Sequence, residues 1–401
     1  MTHACTVLRL TGSTSTLRPR LLRVATLLGL AVGILTSIPS PAGAGWSSVG
    51  PFVAYWAWDG RVADDGTATL ASDRGILQVY RIAADGNSLL TVIDFDRSPW
   101  LPDGYLWKVA QLEPGRYGLL FPGIFDGNDL LTAVWVLQEG VSPTAPTLLP
   151  FSADWLFADP DGNVLVLGRD PAFLTYTLRS KDDPSIELDA GTIDTPDVED
   201  VAIDGSGHLH IAYSDGGERY RKTTEDGTQL LDLAVPGTGG MKIRTDEAGD
   251  VGILSGTSAF YYLPAGESVF QGPTQLRESA RPLGSGHVDF GLSQCGDVFA
   301  CWDYGYYQDP GGEPLTPTCY RGFSVRFAKA DGTLGPIINL EHSEWPGCTG
   351  NPEVPWSRAI GPNSLGYFLF RDLDGGGQYQ NLDVDCAFDT SDLPENVEVF
   401  T

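Results

Sequence analysis

Short apolar runs and glycine-bearing polar turns alternate along this chain at a fixed spacing. One phrase recurs: a turn containing glycine, then an apolar strand, then a polar exit about eight residues later. It reads Asp159-Pro-Asp-Gly162-Asn-Val-Leu-Val-Leu-Gly-Arg-Asp170, then Asp204-Gly-Ser-Gly207-His-Leu-His-Ile-Ala-Tyr-Ser-Asp215. It returns as Asp246-Glu-Ala-Gly249-Asp-Val-Gly-Ile-Leu-Ser-Gly256 and as Ser293-Gln-Cys-Gly296-Asp-Val-Phe-Ala-Cys-Trp-Asp303. The turn glycines are 45, 42 and 47 residues apart. A period of that length built from strands predicts a β-propeller.

A second register of turns falls between the first. Apolar strands end at Asp85-Gly86, Glu139-Gly140, Asp226-Gly227, Ala265-Gly266 and Asp331-Gly332. Asp-Gly between two strands marks a hairpin, because glycine supplies the positive φ of the turn. Each repeat therefore holds two hairpins, or four antiparallel strands, which is one blade. Leu112-Glu-Pro-Gly115 and Ile360-Gly-Pro-Asn-Ser-Leu365 add further copies of the first phrase, and Phe52 to Trp58 opens a less regular unit. The prediction is an all-β propeller of seven blades starting near residues 46, 105, 152, 198, 241, 286 and 356, with six or eight left open. Val164, Val166, Leu209, Ile211, Val251 and Ile253 are expected to pack each blade on the next. Asp159, Asp204 and Asp246 are expected to cap their own turns.

The first 44 residues read as a signal peptide. Arg18, Arg20 and Arg23 precede an apolar stretch from Val24 to Ile38, and Ala42-Gly43-Ala44 offers a cleavage site before Gly45. No later apolar run is long enough to span a membrane. Removing the leader leaves 357 residues and takes away four arginines, so the formal charge falls from −27 to −31. Such a surface repels nucleic acid and anionic lipid and favours cations or basic partners. The expectation is a secreted or cell-surface monomer. Five cysteines remain, Cys295, Cys301, Cys319, Cys348 and Cys386, all in the last third. That suits two disulfides of open connectivity in an oxidising compartment, and no CxxC pair suggests zinc.

The segment Val201-Ala-Ile-Asp-Gly-Ser-Gly-His-Leu-His-Ile-Ala-Tyr-Ser-Asp215 resembles a blade of the exported bacterial propellers of the sialidase-like, BNR-related type. The resemblance implies fold and export. It does not carry sialidase activity, because the full Asp-box is absent and Tyr80-Arg81-Ile82-Ala83 departs from an Arg-Ile-Pro motif.

Candidate chemistry gathers where loops share a rim. Asp59, Asp170, Asp215, Asp303 and Asp372 are placed at strand exits and would form a ring of carboxylates there; turn capping explains the same residues. Two insertions, at about 302–320 and 341–357, fall on that rim, and a bridge among Cys301, Cys319 and Cys348 would hold them. Trp302, Tyr304, Tyr306, Tyr307, His342, Trp345, Trp356, Arg358 and Arg371 are the candidate ligand contacts, since aromatic faces stack on sugars and charged groups take hydroxyls. Asp303 and Glu344 are the candidate acid/base pair. Asp372, Asp374 and Asp383 faintly resemble a calcium loop without its regular ligand spacing, and calcium is the one cofactor the acidic rim suggests. His208 and His210 have a metal-like spacing but no evident third ligand. No Gly-x-Ser-x-Gly, Walker, Rossmann or HExxH sequence occurs. The reading is a binding module for an extracellular glycan or protein, with a polysaccharide hydrolase or lyase as the alternative; whether the protein is an enzyme stays open.

Overall fold

A computed structural model describes residues 46–383 apart from 53–56, 63–66, 74–75, 83–88, 102–104, 127–128, 247, 257, 277–287, 293–295, 309–317, 347–357, 361–364 and 372–376. The described strands form seven four-stranded antiparallel sheets. The first strand, β1 (Trp46–Phe52), is set apart from its neighbours in sequence. Blade one is β2 (Ala57–Val62), β3 (Ala68–Asp73), β4 (Ile76–Ile82) and β5 (Leu89–Asp96). Blade two is β6 (Lys108–Glu113), β7 (Arg116–Asp126), β8 (Asp129–Gln138) and β9 (Thr147–Leu149). Blade three is β10 (Trp155–Ala158), β11 (Val164–Arg169), β12 (Leu174–Arg179) and β13 (Glu187–Ile193). Blade four is β14 (Val198–Ile203), β15 (Leu209–Ser214), β16 (Glu218–Thr223) and β17 (Gln229–Ala234). Blade five is β18 (Met241–Thr245), β19 (Val251–Ser255), β20 (Ala259–Leu263) and β21 (Gln271–Gln275). Blade six is β22 (Val288–Leu292), β23 (Val298–Gln308), β24 (Thr318–Ala328) and β25 (Leu334–Pro346). Blade seven is β26 (Arg358–Ile360), β27 (Leu365–Arg371) and β28 (Gly377–Asp383), with β1 paired to β28 as its outer strand.

The first strand of each blade lies innermost. Neighbouring inner strands meet around a ring, β2 on β6, β6 on β10, β14 on β18, β18 on β22, and β22 on β26, and β26 returns to β2. Trp155 of β10 reaches β14 by donating Nε1 to Asp200 Oδ1 at 3.0 Å. Six predicted blade starts fall within three residues of the observed inner strands. The first does not. Residues from Trp46 belong to the last blade, because a ring closes most firmly when one sheet takes strands from both ends of the chain.

The second strand of a blade is buried on both faces, as in β11, β15 and β19, while outer strands such as β13 are largely exposed. The alternate residues expected to pack on the next blade pack on the preceding one. Val164 and Val166 pack on Leu112, Leu120 and Val134 of blade two, and Leu209 and Ile211 pack on Leu165 and Leu167 of blade three. Val251 and Ile253 likewise meet Ala212 and Tyr220 of blade four. These residues face the preceding blade; the intervening ones, such as Leu165 and Ala212, face the next.

The turn aspartates behave as expected. Asp159 Oδ1 accepts from Asn163 N at 2.6 Å, Asp204 Oδ1 from His208 N at 2.9 Å, and Asp246 Oδ1 from Asp250 N at 2.8 Å. Gly162, Gly207 and Gly249 each have φ near +80°, at 79, 81 and 88°. The residue after the glycine adds a second tie, to the turn between the third and fourth strands. Asp250 Oδ1 accepts from Ala265 N at 2.6 Å and Asp297 Oδ1 from Ala330 N at 3.0 Å.

Candidate functional site

The topology gives two rims. The upper carries the turns between second and third strands and the links between blades; the lower carries the remaining turns. Blade two is prolonged on the upper side, with 11 and 10 residues in β7 and β8, and blade six is prolonged further. Its second, third and fourth strands run for 11, 11 and 13 residues, against 6, 6 and 7 in blade three. Among the described residues β22 pairs with β23 as far as Trp302, and β23, β24 and β25 continue for six further rows. They are Asp303–Phe323–Glu341, Tyr304–Gly322–His342, Gly305–Arg321–Ser343, Tyr306–Tyr320–Glu344, Tyr307–Cys319–Trp345 and Gln308–Thr318–Pro346. Of the segments expected as loops, 302–308, 318–320 and 341–346 are strand, and Tyr304, Tyr306, Tyr307, His342 and Trp345 sit on one continuous ladder. Alternation puts the Tyr304 and Tyr306 rows, with His342, Tyr320 and Glu344, on one face.

Other expectations change. Trp302 is 4% exposed and packs with Phe290, Leu292 and Val298, so it belongs to the core and not to a ligand surface. Asp303 and Glu344 lie three rows and two strands apart on opposite faces. At about 3.4 Å per row and 4.8 Å per strand their backbones are about 14 Å apart, a poor fit to paired carboxylates. Asp383 pairs with Leu365, six rows from the Arg371–Gly377 end beside Asp372 and Asp374, so these aspartates do not share one loop. Cys301 and Cys319 are six rows apart on adjacent strands, about 20 Å, and cannot be bridged to each other. Arg358 and Arg371 stand at the upper ends of β26 and β27. Trp356, Asp372, Asp374, Cys295, Cys348 and Cys386 lie outside the described residues, as does the leader.

Among the described side chains, those of Asp59, Asp170 and Asp215, no ring of carboxylates is seen. Asp59 is buried on inner strand β2, where Oδ2 accepts from Val109 N of β6 at 2.9 Å. Asp170 and Asp215 are exposed at upper-rim turns, and Asp170 Oδ1 caps Ala172 N at 3.2 Å. Two further aromatics, outside the expected contacts, reach this rim. Trp100 and Tyr105, in the link from β5 to β6, are 38% and 46% exposed. Trp100 is braced edge-on against Trp135 at 5.5 Å, and Tyr105 against Trp107 at 6.0 Å. Two of the ten tryptophans in one short link was the available signal.

Asp59 exemplifies how the inner wall is tied together. Asp200 Oδ2 accepts from Ile243 N at 3.0 Å and from Arg244 Nη1 at 3.0 Å, and Arg244 Nη2 reaches Asp289 Oδ1 at 2.7 Å. With Trp155 this makes a side-chain belt across blades three to six. Burial works against the Arg244 charge, yet Asp289 and Asp200 raise its pKa further. The belt covers inner-strand N–H groups that an open sheet edge would leave free.

On the lower rim, His208 and His210 bind a carboxylate instead of a metal. Asp204 Oδ2 lies 3.1 Å from His208 Nδ1, 3.0 Å from His210 Nε2 and 2.9 Å from Lys222 Nζ. Burial opposes the Asp204 charge, but His210, Lys222 and the His208 N–H outweigh it and hold its pKa far below normal. Burial pushes the His210 pKa down. The neutral ring that fits donates from Nε2 to Asp204 and accepts the Tyr220 hydroxyl at Nδ1, 2.9 Å away. Among the described residues no group of three or more His, Cys, Asp or Glu side chains could hold a metal ion.

Blade five lacks this arrangement. Gly252 stands where blade four has His210, and Phe260 and Phe290 crowd its α-carbon. Asp246, 2% exposed, is left with Oδ2 unpartnered, and burial raises its pKa from 3.8 to about 6. A raised pKa means stability that is present below pH 3.8 and lost as pH rises through about 6. Asp246→Asn keeps the acceptor for Asp250 N and removes the charge. It is expected to match the parent near pH 4 and exceed it at pH 7.5 by about 2–3 kcal/mol, checked by urea unfolding at the two pH values.

No protein-family model matches the chain, and no curated protein matches it. Solved structures do. Virginiamycin B lyase from Staphylococcus aureus aligns over 85% of this chain and 99% of its own, at 10% identity and a TM-score of 0.51. The WD40 β-propeller domain of Doa1 aligns over 84% and 97%, at 14% identity and 0.51. The β-propeller domain of Cps50 (Swd1) from Myceliophteria thermophila aligns over 85% and 100%, at 10% identity and 0.53. At such identities the likeness concerns the fold, and the fold is a β-propeller.

Proposed function

We propose that this chain is an exported propeller that binds an extracellular glycan on its upper rim, through the prolonged sheet of blade six. One observation carries the reading: six register rows continue past β22 and set Tyr304, Tyr306, Tyr320, His342 and Glu344 in adjacent positions of one face. Aromatic residues at register positions next to residues whose chemistry takes hydroxyls suit a sugar, and a strand backbone is ordered at less cost on binding than a loop. The basic, then apolar, then small-residue leader supports export, and among the described residues no helix is long and apolar enough to cross a membrane. The acidic surface supports a neutral or basic partner over nucleic acid. Monomeric secretion is the simplest form of this reading.

A hydrolase or lyase is the second reading, favoured by the carboxylates on the same ladder; the spacing of Asp303 and Glu344 weighs against these two as a pair. Residues 45–401 applied to a glycan array, with reducing ends assayed in parallel, separate the two. Binding without new reducing ends is the expected result. Turnover abolished by Asp303→Asn or Glu344→Gln would replace it with the enzyme reading, and neither binding nor turnover would overturn both.

A further inference from the structure

Glu218 opens blade four's third strand on the upper rim and is 8% exposed. Its Oε2 accepts from Ser255 Oγ of blade five at 2.8 Å, while Oε1 is buried and has no partner. Glu218 pairs across the ladder with Ser214, whose Oγ donates to Glu199 Oε1 at 2.6 Å. Glu218 thus touches a hydroxyl of blade five, and Glu199 holds the hydroxyl of the residue paired with Glu218. Neither glutamate is ion-paired to a lysine, arginine or histidine among the described residues. A buried carboxylate in that position takes either a cation or a proton.

The chain between the blades is shaped around this pair. Residues 236–240 run over it as a strap, Pro-Gly-Thr-Gly-Gly, with Gly239 and Gly240 at φ of 92 and 52°. A side chain on Gly237 would collide with Ser255 Oγ and Glu218 Oε2, so the glycine lets the strap lie directly on them. Met241 N, at the strap's end, donates to Glu199 Oε2, and Gly256 N donates to Gly240 O at 2.9 Å. The carbonyls of Thr238 and Gly239 stand 3.5 Å from the β-carbon position of Gly256, beside Ser255.

We propose that Glu218, with Glu199, Ser255 and the strap carbonyls, forms a calcium site that pins blade four to blade five. The donors are all oxygen, with carboxylate, hydroxyl and main-chain carbonyl mixed and no nitrogen or sulfur among them. That set selects a hard cation, and its irregular composition suits Ca²⁺ over the stricter octahedron of Mg²⁺. The site is separate from blade six, so it stands or falls apart from glycan binding.

Thermal unfolding of residues 45–401 in chelator and in calcium tests it. Calcium at 100-fold its Kd is expected to raise Tm by about 3–4 °C. The shift should survive Glu267→Gln, an exposed glutamate of blade five, and vanish in Glu218→Gln, which should be more stable than the parent in chelator. Terbium supplies a readout that does not depend on melting. Tyr261 donates to Pro236 O of the strap at 2.7 Å and can sensitise a bound lanthanide. Tyrosine-excited terbium emission displaced by calcium is expected from the parent, and Ser255→Ala, which keeps both carboxylates, should weaken it about tenfold. No calcium shift in the parent, or a shift undiminished in Glu218→Gln, overturns the site, with interior water then satisfying Oε1.

Discussion

A chain beginning at Ala57 is expected to lose cooperative folding at physiological temperature. β1 contributes nothing to the blade that follows it in sequence. It pairs with β28 through Trp46–Leu382, Ser47–Asn381, Ser48–Gln380, Val49–Tyr379 and Phe52–Gly377. Without it the last blade keeps three strands, and β28 becomes an open edge that invites association. Five ladder pairs at about 1 kcal/mol per hydrogen bond put the loss at about 3–5 kcal/mol. Appending residues 45–56 after Thr401 through a flexible linker should restore Tm and solubility, because the strand needs only to reach β28. Recovery on appending, with loss on deletion, identifies ring closure as the cause.

The second large effect is expected from Arg244→Met. The guanidinium bridges Asp200 at 3.0 Å and Asp289 at 2.7 Å, so its removal takes the shared cation from two carboxylates on the inner wall of blades four to six. Breaking a fully buried pair on one side costs about 3–5 kcal/mol; here the groups are partly exposed and Asp200 keeps Ile243 N and Trp155 Nε1, so the loss is expected at about 2–3 kcal/mol. Adding Asp200→Asn and Asp289→Asn to Arg244→Met should recover much of that loss, as the carboxylate charges go with their cation. Chemical denaturation of the single and triple variants checks this; a triple variant less stable than the single one contradicts it.

The turns were the legible part of the sequence. A glycine at φ near +80° is a local demand, and so is an aspartate that caps the same turn, so Asp159–Gly162, Asp204–Gly207 and Asp246–Gly249 announce themselves. From their spacing the blade count and six of seven blade starts follow. The closure by β1 was not legible, because its partner lies some 330 residues away and the pairing leaves no local mark. The Asp200–Arg244–Asp289 belt was hidden for the same reason: each residue looks like an ordinary strand charge until the ring brings three blades together. Blade six was partly readable. Tyr304 and Tyr306 alternate with Asp303 and Gly305, the two-residue period of a strand, yet their glycine and proline neighbours suggested a loop. Trp302 looked like a rim aromatic, and the core claimed it because β22 and β23 stay paired as far as that residue.

The functional reading turns on the ladder beyond Trp302. Replacing residues 303–323 with Asn-Gly joins Trp302 to Ser324, which already face each other, and cuts the second and third strands of blade six back to the length of those in blade five. The decisive measurement is titration of this trimmed protein and the parent, each as residues 45–401, with the glycan the parent recognises. The account predicts that binding is lost while Tm and the β-rich circular dichroism stay close to the parent's. Undiminished affinity in a folded, trimmed protein would contradict it.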